Sequence, residues 1–201
     1  MNRLDKITPT EKVICTHFDI FNFPTYYYVL TQGINDNKYH LYTFVKDDMV
    51  KDTLTISDEV SAMICMKGAL YLIVKRNNSF VYLEYDWNKN LIETHEIDFP
   101  DDLNISDYNN LNVSVSGDTI IYTYTSEDRT KILVYSTLDD LVMNKTIDGV
   151  HECVVVGRNY VVIGNLLIDT RHHSFKEYDI NTLNVLKHNT TMIEHMVDQL
   201  N

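Results

Sequence analysis

One motif occurs twice in this chain: a β-type run that ends in Tyr-Asp, then a short polar turn, then a second β-type run. The first copy contains Tyr85 and Asp86, and the second contains Tyr178 and Asp179. Each copy follows a hairpin signal that contains glycine. Repetition of a strand pattern indicates an architecture rather than a chemistry. The chain is therefore expected to reuse one structural unit along its length.

The clearest unit lies between residues 60 and 97, where four apolar or alternating runs are separated by short turns. Strands joined so closely pair as hairpins, because parallel strands need a crossover of about a dozen residues. A four-stranded antiparallel meander is therefore predicted. The pattern recurs every roughly 40 to 50 residues, which gives four units with third strands at Phe44, Tyr85, Tyr135 and Tyr178. The predicted units span residues 12–56, 60–97, 111–147 and 151–187.

This period is typical of the four-stranded blades of a β-propeller. We predict an all-β chain of four four-stranded antiparallel meanders that form a small propeller, or a partial one completed by self-association. An up-and-down barrel or a two-sheet β-sandwich is the alternative, because strand counts alone do not separate these folds. An apolar stripe at helical spacing also predicts a short C-terminal helix over residues 190–200.

At its Tyr-Asp hairpins and its glycine turns between first and second strands, the chain resembles kelch and WD-type propeller repeats, kelch more closely. The chain departs from the kelch pattern in two ways. Lys75-Arg76 and Thr125-Ser126 stand where kelch repeats carry a glycine pair. The tryptophan late in each kelch repeat is also missing, since Trp87 is the only tryptophan and lies earlier in its unit. The composition is similar to that of poxviral kelch-like proteins and favours a viral or protist source. Those proteins carry an N-terminal BTB domain, for which the residues before the first predicted strand leave no room. The resemblance implies the propeller architecture and an interaction role.

The net charge argues against two classes of protein, those that bind nucleic acid and those that bind anionic membranes. A formal net charge of -12 would repel nucleic acid and anionic membranes. No apolar stretch is long enough to span a bilayer and no signal core is visible, so we expect a cytoplasmic protein.

The three cysteines are widely spaced in apolar runs: Cys15, Cys65 and Cys153. This pattern predicts reduced, buried thiols rather than disulfides or a structural metal. No cofactor is expected.

Acidic turns are the candidate binding residues. Asp47-Asp48 and Asp139-Asp140 fall between third and fourth predicted strands, and Asp118 falls between a first and a second strand. In a blade meander these turns lie at the same face, so they would form one acidic surface for a basic protein partner. The alternative is ordinary turn chemistry, since Asp favours turns whatever the function.

The sequence carries no Gly-x-Ser-x-Gly, glycine-rich phosphate loop, His-Glu-x-x-His or Cys-x-x-Cys motif. Its adjacent histidines, His172 and His173, are interpreted as solvated loop residues. The preferred function is a non-enzymatic protein–protein interaction scaffold that binds a partner through blade-face loops. A hydrolase or lyase that uses loop carboxylates on the same frame is the first alternative, and a barrel that binds a small ligand is the second.

Overall fold

Strands dominate the computed structural model, which describes residues 10–19, 26–46, 48–66, 69–77, 79–86, 88–156 and 159–179. In these residues, sixteen strands form four separate four-stranded sheets, and in each sheet the spatial order follows the chain order. All of the pairings are antiparallel. The predicted fold class, an all-β chain of four four-stranded meanders in a propeller-type arrangement, is confirmed.

The two fold alternatives are wrong, because an up-and-down barrel would close one continuous sheet and a sandwich would stack two. The predicted C-terminal helix over residues 190–200 lies outside the described residues. Within the described part of the chain, no helix is long and apolar enough to cross a membrane.

The first compact unit ends at Ile97 and contains two sheets. Their strands are β1 (Glu11–Asp19), β2 (Tyr26–Gly33), β3 (Tyr39–Val45) and β4 (Asp48–Leu54), followed by β5 (Glu59–Met66), β6 (Ala69–Arg76), β7 (Ser79–Tyr85) and β8 (Leu91–Glu96). The first strands of the two sheets, β1 and β5, lie next to each other. Apolar side chains from facing sides of both sheets, among them Leu30, Leu41, Leu72 and Leu83, form the core between them.

The second compact unit begins at Asp98 and also contains two sheets. Its strands are β9 (Asn110–Ser116), β10 (Thr119–Thr125), β11 (Arg129–Tyr135) and β12 (Leu141–Asp148), followed by β13 (Cys153–Val156), β14 (Tyr160–Ile163), β15 (Leu166–Asp169) and β16 (Ser174–Glu177). Here too the first strands, β9 and β13, are neighbours. The core between the sheets includes Ile121, Ile132, Val161 and Ile168.

An aromatic cluster covers the other face of the β9–β12 sheet. Phe99 packs edge to face on Tyr122 and Tyr124, with ring centroids 5.3 and 5.8 Å apart. The Tyr135 hydroxyl donates a hydrogen bond to the Asp98 carbonyl at 2.9 Å. Because edge-to-face rings attract and each tyrosine is almost fully buried, this contact fastens the segment before β9 to its sheet.

The strand alignment of the last sheet corrects the predicted repeat. Gly164, with φ of 58°, turns the chain between β14 and β15, and Ile163 pairs directly with Leu166. A two-residue turn with a left-handed glycine is a hairpin turn, but in the sequence it lies inside one apolar run. The third strand is therefore β15, and Tyr178 follows the fourth. Tyr178 is not equivalent to Tyr85, which ends the third strand of its own sheet.

The cysteines lie where the sequence places them, in the first strand of three sheets: Cys15 in β1, Cys65 in β5 and Cys153 in β13. All three are free thiols, of which Cys65 is buried as predicted, whereas Cys15 and Cys153 are only partly buried. Burial raises the pKa of Cys15 to about 12 and that of Cys153 to about 11. Because only the thiolate is a strong nucleophile, these two thiols are structural rather than reactive groups.

A buried carboxylate joins the four strands of the β1–β4 sheet. Glu11 on β1 accepts hydrogen bonds from the Thr31 hydroxyl at 2.6 Å, the Tyr42 hydroxyl at 2.8 Å and Lys51 Nζ at 2.6 Å. Its side chain is only 5% exposed. Burial alone would raise the pKa of Glu11, but the hydrogen bonds from Lys51, Thr31 and Tyr42 outweigh it and lower that pKa from 4.5 to about 2.

Replacing Glu11 with Gln should lower the free energy of unfolding by roughly 1 to 3 kcal/mol at neutral pH, because buried donors lose a charged acceptor. The folded pKa lies below the unfolded one, so this contribution is present above pH 4.5 and is lost as the pH falls toward 2. Denaturant melts of wild type and variant at about pH 7 and about pH 3 measure the loss of stability and its decrease on acidification. Glu59→Gln, an exposed residue at the start of β5, is the control and should change little. Equal losses at both pH values would contradict the assignment.

Tyr85 and Tyr178 should respond differently to truncation. Tyr85 is 3% exposed within the core between the first two sheets, whereas Tyr178 packs only partly buried on the edge of a smaller cluster. Tyr85→Ala should therefore cost about 3 kcal/mol, near the range for large core truncations, and Tyr178→Ala distinctly less. Chemical denaturation of the two variants gives the comparison. The corrected strand alignment fails if the losses are the same.

Candidate functional site

The predicted acidic residues are divided between the two compact units. Asp48 begins β4 in the first unit and is exposed, and Asp47 lies outside the described residues. Asp118 lies in the β9–β10 turn of the second unit, and the exposed Asp139 and Asp140 lie in the β11–β12 turn. Since successive turns of a meander alternate between its two ends, these last three share one end of the β9–β12 sheet. A binding role for the five residues stays a prediction.

Asp140 shows how such turns are built. Its carboxylate accepts a hydrogen bond from the Ser136 hydroxyl, and its carbonyl accepts one from the Ser136 N–H at 2.9 Å. These bonds close the turn between β11 and β12. Turn formation is therefore one physical role of this carboxylate, independent of any ligand.

A second group of polar side chains lies in the β15–β16 turn, a stretch that the sequence pattern predicts as a long connection. Asp169 ends β15, and its Oδ1 accepts the backbone N–H of Arg171 at 2.9 Å. This is the local bond by which Asp side chains close turns. His173 completes the turn with φ of 48°. The side chains of Arg171 and His172 are thereby brought back toward the Asp169 carboxylate.

The Asp169 carboxylate is buried and has two side-chain partners. His172 Nδ1 lies 3.0 Å and Arg171 Nη2 lies 3.4 Å from its Oδ2, while the Asp169 side chain is 8% exposed. Burial acts to raise the pKa of Asp169, but the hydrogen bonds from His172 and Arg171 outweigh it, so the pKa is lowered. The lowered pKa favours the ionised carboxylate as the acceptor beside the imidazole.

Arg171 is held in place by an aromatic ring. Its Nη2 donates a hydrogen bond to the Tyr160 hydroxyl, and its guanidinium carbon lies 5.3 Å from the centre of that ring. Tyr160 is 1% exposed, so the cation rests on a rigid, buried surface. The side chains of Arg171 and His172 are 44% and 63% exposed. The carboxylate is thus hidden, and the cation and the imidazole face solvent.

This arrangement has a definite chemical capacity. A carboxylate that accepts from Nδ1–H selects one imidazole tautomer, in which Nε2 carries the lone pair. In the described residues, Nε2 of His172 makes no hydrogen bond and can accept a proton from a molecule in solvent. The carboxylate then stabilises the imidazolium that forms. An exposed imidazole oriented by a buried carboxylate is the arrangement of a general base.

The first unit contains another histidine–carboxylate pair. His95 Nε2 lies 2.7 Å from Glu84 Oε2, and the His95 ring lies 6.4 Å from that of Tyr71. This imidazole is 36% exposed, about half the value of His172, and it lies on a sheet strand rather than in a turn. The geometry therefore favours His172 as the reactive imidazole. No group of three or more potential metal ligands occurs among the residues that the structure describes.

The sequence contained one signal for the missed site. Asp169 and His172 are three residues apart directly after an apolar strand, a spacing at which a tight turn brings the two side chains together. The predicted connection between second and third strands contains this stretch, which would then lie at the opposite end of the sheet. The error in strand alignment therefore also hid the site.

No protein-family model and no curated protein matches the chain. Among solved structures, the chain is similar to a provisionally named 6-phosphogluconolactonase from Bacteroides uniformis, with 12% sequence identity and a TM-score of 0.41. The similarity covers 83% of this chain and 53% of the other, so the chain spans about half the length of the structure it matches.

The prediction of a non-enzymatic interaction scaffold is corrected by this comparison, because the matching structure is named as an enzyme. At this identity and TM-score, the match assigns no activity to this chain. The chain is a propeller-repeat protein, and the kelch type of its repeats stays a prediction from the sequence.

Asp169→Asn should destabilise the second compact unit by roughly 1 to 3 kcal/mol, because Arg171, His172 and the turn N–H lose a charged acceptor. Denaturant melts at neutral pH measure the loss. Asp140→Asn, an exposed carboxylate that also closes a turn, is the matched control and should fall within about 0.5 kcal/mol of the wild type. Similar behaviour of the two variants would show that the carboxylate of Asp169 has no special structural role.

Proposed function

We propose that this chain is a hydrolase in which His172 is the general base and Asp169 orients it. The observation that carries the proposal is the 3.0 Å contact between His172 Nδ1 and the buried Asp169 carboxylate, beneath an imidazole that is 63% exposed. A solvent-facing imidazole with a fixed tautomer can accept a proton from a water molecule while that water attacks a bound substrate.

The proposed reaction follows from these positions. Nε2 of His172 accepts a proton from a water molecule, and the oxygen of that water attacks an electrophilic carbon of the substrate. Asp169 stabilises the resulting imidazolium without accepting its proton. The imidazolium then returns the proton to the leaving oxygen as that bond breaks. The Arg171 guanidinium, held by Tyr160, supplies positive charge beside the developing negative charge.

The acidic turns of the second unit lie in the sheet next to that of His172. Asp118, and the exposed Asp139 and Asp140, belong to turns at the same end of the neighbouring sheet. Negative charge there disfavours strongly anionic substrates and favours neutral or cationic ones. A neutral ester is therefore the first substrate class to test. A basic protein partner, a cytoplasmic location and a viral source stay predictions from the sequence.

Hydrolysis of p-nitrophenyl acetate, butyrate, β-glucoside and phosphate is the direct assay. We expect turnover of a neutral ester, and His172→Ala should lower kcat by about 100-fold or more, which is the usual contribution of a general base. The rate of the wild type should fall on acidification, because a protonated imidazole cannot accept a proton.

His173→Asn is the matched control, since Asn tolerates the positive φ of that position and the side chain is exposed. It should retain wild-type activity. A protein that hydrolyses none of the four compounds, or a His172→Ala variant as active as the wild type, rules out this function.

A further inference from the structure

The turn that carries His172 is attached to the neighbouring sheet through buried hydroxyl groups. Ser116 and Thr119 flank the β9–β10 turn, and Thr170 follows Asp169 in the β15–β16 turn. All three residues are buried, with exposed fractions of 3%, 1% and 6%. Hydroxyls at such depth are normally hydrogen-bonded, because burial without a partner is costly.

The hydrogen bonds of Thr170 fix its backbone on both sides. Its carbonyl accepts from the Thr119 hydroxyl at 3.1 Å, and its N–H donates to the Asn159 carbonyl at 2.8 Å. Its own hydroxyl lies 3.3 Å from that of Ser116. Thr170 is therefore held by its own sheet through Asn159 and by the β9–β12 sheet through Thr119 and Ser116.

Thr170 is the residue between Asp169 and Arg171, so its orientation sets the turn that follows. His172 Nδ1 reaches Asp169 Oδ2 only if the turn from Asp169 to His172 keeps its present dihedral angles. The Thr119 hydroxyl bonds the carbonyl in the middle of this turn. If that bond is lost, the peptide between Thr170 and Arg171 is held only at its N–H, by Asp169 Oδ1. The peptide can then tilt about that single bond, and the imidazole moves with it.

We propose that Thr119 is a positioning residue, which holds the Asp169–His172 pair in its geometry by fixing the carbonyl of Thr170. Its catalytic consequence rests on the function proposed above, but the structural consequence does not. The β9–β12 sheet thus takes part in a site whose reactive groups all belong to the β13–β16 sheet.

The test replaces the hydroxyl without changing the shape of the side chain. 15N NMR of the His172 imidazole should show a single Nδ1–H tautomer in the wild type and a mixture of tautomers in Thr119→Val. In the ester assay, kcat should fall about tenfold with little change in KM, because the base is misplaced and binding is not. Thr119→Ser keeps the hydroxyl and should restore both properties.

Thr123→Val is the matched control. Thr123 lies on the same strand, is 2% exposed and makes no hydrogen bond to the β15–β16 turn. The Thr123→Val variant should therefore have the same His172 tautomer and the same ester hydrolysis rate as the wild type. Ser116→Ala provides a milder second variant if Thr119→Val fails to fold, and it should shift the tautomer in the same direction.

The outcomes separate the two proposals. A changed tautomer in a protein that hydrolyses no ester supports the positioning role and rejects the proposed activity. An unchanged single tautomer in Thr119→Val or, if that variant does not fold, in Ser116→Ala rejects the positioning role, whatever the activity. A Thr119→Ser variant that behaves like Thr119→Val also rejects it, because the hydroxyl would then not be the group that matters.

Discussion

The interaction on which the rest of the structure depends is the burial of both faces of each sheet. In the β1–β4 sheet, Leu30 and Leu41 face the neighbouring sheet, while Val29 and Phe44 on the opposite face are also completely buried. In the β9–β12 sheet, Ile121 faces β13–β16, and Tyr122 on the other face is covered by Phe99. A sheet with two apolar faces cannot be stable alone in water. Short turns specify the meanders, but packing of apolar faces against other parts of the chain is what makes the sheets stable.

Two buried carboxylates show how such a framework carries charge. Glu11 has three donors on three other strands of its sheet, so its charge is balanced inside the sheet. Asp169 lies at the end of a strand, and its donors, His172 and Arg171, remain largely exposed. In both, hydrogen bonds outweigh the cost of burial and keep the carboxyl ionised. The difference is that a solvent molecule can reach the partners of Asp169 and cannot reach most of those of Glu11.

The fold was more accessible to sequence reasoning than the site, for a physical reason. Hairpin formation is local: strand-length runs separated by short turns specify four meanders whatever their surroundings. The position of the site depends instead on the order of the strands, that is, on which two strands each turn connects. Gly164 divides an apolar run into β14 and β15, and overlooking this turn moved His172 to the opposite end of its sheet. The bond between Thr119 and Thr170 joins residues about fifty positions apart, and no periodicity in the sequence marks such a contact.

The strands of the last sheet are only four residues long, shorter than every other strand that the structure describes. Each of its ladders therefore has few hydrogen bonds, and local opening of this sheet costs less free energy than opening of the longer ones. Its backbone amides are those in which hydrogen exchange with solvent would begin first. The proposed base lies on this sheet, and the bonds from Ser116 and Thr119 supply order that its short ladders cannot. A motion too small to unfold the protein can therefore still separate an imidazole from its carboxylate.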